Sequence, residues 1–193
     1  SRVILKRASE KAAKRNLVFN LGIEPEFYVL RRTEKGLAPL QGETFHGPTP
    51  AYDLHQISLA GPFLEELTRY VEELGWGLYS FDQEGGHGQF EIDFGYTDAL
   101  TTADRLTFFR FMVKAIAHKH GAVASFMPKP FIGLTGNGCH AHISVWDETG
   151  KVNRFANGDS ELGLSQDGRH FLGGIMEHAP ALAAITNPTV NSY

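Results

Sequence analysis

Apolar and polar residues alternate in several separate blocks, amphipathic helices lie between the blocks, and glycine-rich bends allow local hairpins. Together these predict an α+β domain built on an antiparallel sheet. With 193 residues, of which 42% are hydrophobic and 14 are Phe, the chain can bury one domain's core without a disulfide, and its single Cys139 could form none internally.

Residues 2 to 16 read as a helix, with Val3, Ile4, Leu5, Ala8, Ala12 and Ala13 among basic residues that face water, and Asn16 or Asn20 marking its exit. Leu17 to Leu30 reads as a strand. Its Phe19, Leu21, Ile23, Pro25, Phe27 and Val29 share one face, and Asn20, Gly22, Glu24, Glu26, Tyr28 and Leu30 share the other. Residues 31 to 50, broken by Gly36, Pro39, Gly42, Gly47, Pro48 and Pro50, read as a loop or irregular hairpin. A helix starts at Gly61-Pro62 and runs to about Leu74, with Gly75 ending it.

Gly77 to Phe94 predicts two strands separated by Gly85-Gly86-His87-Gly88, with Phe90, Ile92 and Phe94 opposing Gln89, Glu91 and Asp93. Thr101 or Thr102 is the expected cap of a long helix to His120, which Gly121 ends. Strands at Val123 to Met127 and Cys139 to Asp147 flank a turn and loop from Pro128 to Gly138. A polar insertion at 148 to 165 leads into a last helix from Gln166 to Ile185, which stops before Asn187-Pro188.

The net charge of -4, with no run of five like charges, gives no footprint for a nucleic-acid backbone or an anionic membrane. The longest apolar stretches are too short to cross a bilayer, and the first sixteen residues lack the apolar core of a secretion signal, so the expected location is cytoplasmic. Neither Ser1 nor Asn191-Ser192-Tyr193 reads as the natural end of a protein, which suggests a fragment.

Three pairs carry the chemistry: Glu24-Pro25-Glu26, Glu91-Ile92-Asp93 and His140-Ala141-His142. Residues two apart in a strand project side by side, and neighbouring carboxylates repel unless something positive lies between them. A Glu-x-Glu pair is usually a solvated strand face, a His-x-His pair is more often hydrogen-bonded than ligating, and Glu84 among glycines is most often a turn residue. Their conjunction on strands of one small sheet favours a divalent cation. An oxygen-rich set with one or two imidazoles suits Mg²⁺ or Mn²⁺ better than Zn²⁺, and the surplus of carboxylates suggests two ions, as in phosphoryl chemistry. Cys139 or Ser144 with a histidine base is disfavoured, because Cys139 and His142 alternate to opposite faces. Gly136-Asn137-Gly138 lacks the spacing and the Lys of a Walker loop, though its backbone could approach a ligand closely. The residues alone support a two-metal phosphoryl-transfer or hydrolytic enzyme.

GIEPEFYVL (22 to 30), EGGHGQFEIDF (84 to 94), DALTTADRLTFFRFMVKAIAHKHG (98 to 121), SFMPKPF (125 to 131), GNGCHAHISVW (136 to 146) and TNPTVNSY (186 to 193) occur in this order. Together they resemble the catalytic domain of glutamine synthetase, with greatest likeness to the bacterial type III-labelled branch that includes glutamate-methylamine ligases. The resemblance implies a curved antiparallel sheet with helices packed on one side. It also implies that 1–193 is part of the catalytic domain, with a small N-terminal domain and the C-terminal part of the catalytic domain outside it.

By the same resemblance, Glu26, Glu84 and Glu91 correspond to ligands of one ion, and Glu24 and His140 to ligands of a second ion that bridges the ATP phosphates. His142 corresponds to the histidine beside the transferred phosphoryl group. Gly136 and Gly138 match the loop that approaches glutamate, and Tyr52 falls near an aromatic residue at the ammonia end. Thr135 departs from the Asn that many members carry. The implied reaction is ATP-dependent formation of glutamine from glutamate and ammonia through γ-glutamyl phosphate, in a homo-oligomeric ring. Methylamine or a polyamine as acceptor, and a non-catalytic relative, are the alternatives.

Overall fold

The computed structural model describes residues 2–40 and 51–193. Of the loop or irregular hairpin expected at 31–50, residues 31–40 form an antiparallel hairpin with the end of the preceding strand and residues 41–50 lie outside the described residues. The chain divides into two compact units. One comprises Ser1–Gly22, Tyr96–Ala103 and His142–Tyr193, the other Ile23–Gly95 and Asp104–Ala141.

The second unit is organised on β1 (Leu17–Thr33), whose later residues pair antiparallel with β2 (Gly36–Pro39) and with two strands further along the chain, β4 (Gln89–Phe94) and β6 (Val123–Ser125). β3 (Leu78–Gln83) pairs with β4, giving the strand path β2-β1-β4-β3. Alternation holds where β1 enters this unit: Ile23, Pro25 and Phe27 are buried, while Glu24 and Glu26 keep partial access to solvent. The apolar face of β1 and β4 carries Phe27, Phe90, Ile92 and Phe94. It shares a core with Phe63, Leu64, Leu67 and Val71 of α3 (Gly61–Glu73) and with Phe109, Met112, Val113, Ile116 and Ala117 of α4 (Ala99–Lys119). Phe27 lies at its centre, within 5.4 Å of Phe126 and 6.1 Å of Phe109 by ring centroids. Helices therefore cover one face, and alternation sends the carboxylates of β1 and β4 to the other.

Several boundaries have visible chemical causes. Gly75 at φ 67° and Gly121 at φ 70° follow α3 and α4 in the left-handed conformation that glycine adopts without steric penalty. A short helix absent from the expectations, α2 (Leu54–Leu59), is capped by the Asp53 carboxylate, which accepts from the His55 amide. β6 ends at Ser125, where the Ser125 hydroxyl accepts from the Met127 amide and draws the chain out of the ladder.

In the first unit, α1 (Arg2–Ala13) buries no residue and ends before Asn16, which adopts φ 57°. The start of β1 pairs with β5 (Thr97–Asp98). The expected threonine cap of α4 is instead Asp98, whose Oδ1 accepts from the amides of Leu100 and Thr101. Thr102 is buried, and its hydroxyl donates to the Leu21 carbonyl. β7 (Cys139–Asp147) has the expected bounds, and its last residues enter a polar turn in which Asp147 accepts from the Lys151 and Val152 amides. α5 (Gln166–Thr186) follows, with Phe171 stacked near Phe155.

Candidate metal centre

Strand register assembles the acidic face. Glu26 pairs with Glu91 across β1 and β4, and Glu91 pairs with Asp82 across β4 and β3, so three carboxylates lie in a row on adjacent strands. Glu24 and Asp93 stand two residues away on the same face. Glu91 and Asp93 are almost fully buried.

Two groups are compact enough to hold one cation each. Ligand atoms of Glu24, Glu91 and His140 lie within 4.8 Å of one another, and so do those of Asp82, Glu91 and Asp93. Glu91 is common to both. His140 Nδ1 lies 3.2 Å from Glu24 Oε2.

Glu26 and Glu84 stand close enough to interact by charge, yet neither joins those two groups. One Glu26 oxygen accepts from Gln89 at 2.8 Å, and a Cβ added to Gly138 would stand 2.7 Å from the other, so a side chain there would push the carboxylate aside. Glu84 follows β3 at the Gly-rich bend, its amide donating to the Gln89 carbonyl. Tyr52 is exposed at φ 61°, and its amide donates to the Gln83 carbonyl. His142 belongs to the first unit, where its Cβ and that of Tyr96 line the space above Gly22. Gly136 lies against the Pro128 carbonyl, which a Cβ would approach to 2.8 Å.

Carboxylate repulsion dominates the cluster, with the His140 imidazole opposing it at Glu84. Burial, followed by the carboxylates of Asp93, Glu84, Glu24 and Glu26, pushes the Glu91 pKa up to about 8. Glu84 is raised by burial and then by Glu26 and Asp82, with the Gly85 amide opposing. Tyr79 is also raised, first by burial and then by Asp93, Glu24 and Glu91. A set of carboxylates with one imidazole fits a hard divalent cation, which would convert this repulsion into attraction.

Asp82 and Gln89 join this face without belonging to any of the three sequence pairs. Asp82 was detectable by counting back from the bend, since a hairpin that pairs Gln83 with Phe90 must pair Asp82 with Glu91. Gln89 was visible only as a member of the Glu91 face.

The sequence matches the family described as "Glutamine synthetase, catalytic domain" over residues 1–193. The chain belongs to the glutamine synthetase family. A glutamine synthetase of Rhizobium meliloti (strain 1021) is 53% identical over 193 residues, covering 100% of this chain and 43% of the relative. A glutamate–methylamine ligase of Methyloversatilis universalis is 43% identical over 196 residues, covering 100% of this chain and 43% of the relative. A solved structure described as a GmaS/ADP complex superimposes with a TM-score of 0.92 at 44% identity, covering 100% of this chain and 44% of that one. The chain thus spans less than half the length of these glutamine synthetase family relatives. Among the described residues, no helix is long and apolar enough to cross a membrane.

Proposed function

We propose that this chain carries the cation-binding part of a cytoplasmic, ATP-dependent ligase that joins glutamate to ammonia through γ-glutamyl phosphate. The observation behind the reading is the convergence of Glu24, Glu91 and His140 within 4.8 Å on a carboxylate-lined sheet face. Neighbouring carboxylates repel, and the buried Glu91 among them must be neutralised either by a proton or by a cation. Bound there, Mg²⁺ or Mn²⁺ would supply the positive charge that phosphoryl transfer needs on its oxygens.

The residues divide the work. Glu24, Glu91 and His140 hold one cation, and Glu26 and Glu84 serve the second together with Glu91. Gly136 and Gly138 serve the loop that glutamate approaches, where the missing side chains leave the backbone accessible. His142 serves the transferred phosphoryl group, and Tyr52 lies toward the amine acceptor. Part of the catalytic domain lies in 1–193, with the rest of it, a small N-terminal domain and a ring-shaped homo-oligomer belonging to the full-length protein.

Methylamine is the second reading of the acceptor, supported by the likeness to a glutamate–methylamine ligase along the whole chain. Retention of Glu24, Glu26, Glu84, Glu91, His140 and His142 argues against a non-catalytic relative. The test is a mass-spectrometric product assay on the full-length protein with ATP, glutamate and either ammonia or methylamine. Glutamine is the expected product. γ-Glutamylmethylamide formed with the higher kcat/KM would favour the second reading, and neither product would sink both.

A further inference from the structure

Gln89 has no solvent exposure, and its carboxamide is fully engaged. Oε1 accepts from the Gly86 amide at 2.9 Å and from the Thr135 hydroxyl at 2.5 Å. Nε2 faces Glu26 Oε2 at 2.8 Å, the Gly136 carbonyl at 2.8 Å and Asn137 Oδ1 at 3.1 Å. The amide group offers two hydrogens to these three acceptors, so two of the acceptors share one hydrogen.

Chemistry fixes the orientation of this carboxamide. The Gly86 N–H can only donate and the Gly136 carbonyl can only accept, so a flipped amide would set donor against donor and acceptor against acceptor. Asn137 is oriented for the same reason: its Nδ2 donates to the Ser125 and Met127 carbonyls, leaving Oδ1 toward Gln89. The Glu26 amide donates to the Gly138 carbonyl at 3.2 Å. Glu26 is thereby tied to residues 136–138 through both its backbone and its side chain. Close packing underlies the arrangement, since a Cβ on Gly86 would meet the Tyr28 hydroxyl at 2.0 Å. Tyr28 in turn donates to the Thr135 carbonyl.

We propose that Gln89 is a positioning residue of the ligase site: its carboxamide locks the Glu26 carboxylate, the 135–138 loop and the Gly86 bend into one body. The loop that admits glutamate then keeps a fixed distance from a carboxylate that serves the cation. This inference rests on the ligase reading above. A residue that merely satisfied buried polar groups would affect stability and leave the balance between substrates unchanged.

The test uses the full-length protein with Gln89→Met, which keeps the volume and removes every hydrogen bond, with Thr135→Val, and with both. Displacing the loop by a fraction of an ångström to an ångström should lower kcat/KM for glutamate about a hundredfold. The KM for ATP should stay within about threefold, because the lost contacts serve the amino-acid side. Thr135→Val should cause a smaller loss of the same kind and add nothing to Gln89→Met, since Thr135 acts through the Gln89 oxygen. A folded Gln89→Met enzyme with wild-type glutamate kinetics, an equal rise in both KM values, or additive losses would each overturn the proposal. Should Gln89→Met not fold, Thr135→Val decides: a glutamate-specific loss supports the proposal and unchanged kinetics overturn it. A wild-type protein that makes no γ-glutamyl product overturns the ligase reading and this inference with it, whereas an active wild type with insensitive variants overturns the inference alone.

Discussion

Glu91 sits in the middle strand of the acidic face with carboxylates on both neighbouring strands, and its pKa of about 8 against an ordinary value of 4.5 ties stability to pH. The folded state holds this proton more tightly than the unfolded chain, so between those two values it binds more protons. The resulting stability is complete below about pH 4.5 and is lost as pH rises through 8, a change of at most about 5 kcal/mol for one group. In metal-free buffer, thermal melts should therefore fall across pH 6 to 9, and Glu91→Gln should flatten that dependence and raise the melting temperature at pH 9. A cation must displace the same proton. Apparent Mn²⁺ affinity, followed by calorimetry, should rise about tenfold per pH unit from 6 to 8 and level off above it. Affinity independent of pH over that range would mean that Glu91 is not a ligand.

Strands and helices show which sequence signals carried information. The alternation of Ile23 to Val29 and of Gln89 to Phe94 gave both faces of the sheet, because Ile23, Phe27, Val29, Phe90, Ile92 and Phe94 are buried against two helices and must repeat with period two. Gly75 and Gly121 marked helix ends because the chain turns left-handed there. The cap of α4 was misassigned since Asp98 and two threonines compete within five residues, and tertiary contact to Leu21 takes Thr102 away. α2 carries too few residues for a periodic pattern, and only its Asp53 cap announces it. The candidate ligands were legible as pairs, but their grouping was not: it depends on the register of β3, β4 and β1, which brings in Asp82 and leaves Glu26 with Gln89. Glycines provide an element-level prediction. Gly86→Ala must force apart backbone and the Tyr28 ring and should destabilise the protein by about 1 to 3 kcal/mol in chemical denaturation. Gly173→Ala, with open space around it in α5, should be neutral or stabilise by up to about 1 kcal/mol.

Taken across the second unit, the division of labour follows from one alternating pattern: aromatic residues bind the sheet to α3 and α4, and carboxylates occupy the opposite face. Because the acidic face works against folding until a cation arrives, ligand binding and stability are linked. Saturation at a hundredfold over Kd should add about 2.7 kcal/mol per site to the unfolding free energy. Phe27→Ala should remove about 3 to 5 kcal/mol by opening the aromatic core beneath the site, measurable by urea unfolding with Mn²⁺ present or absent. The most direct test of the central claim is anomalous diffraction at the manganese edge from crystals of the protein grown with Mn²⁺. A peak is expected within coordination distance of Glu24, Glu91 and His140. An ordered protein with full manganese saturation in solution and no peak bounded by those three side chains would contradict it.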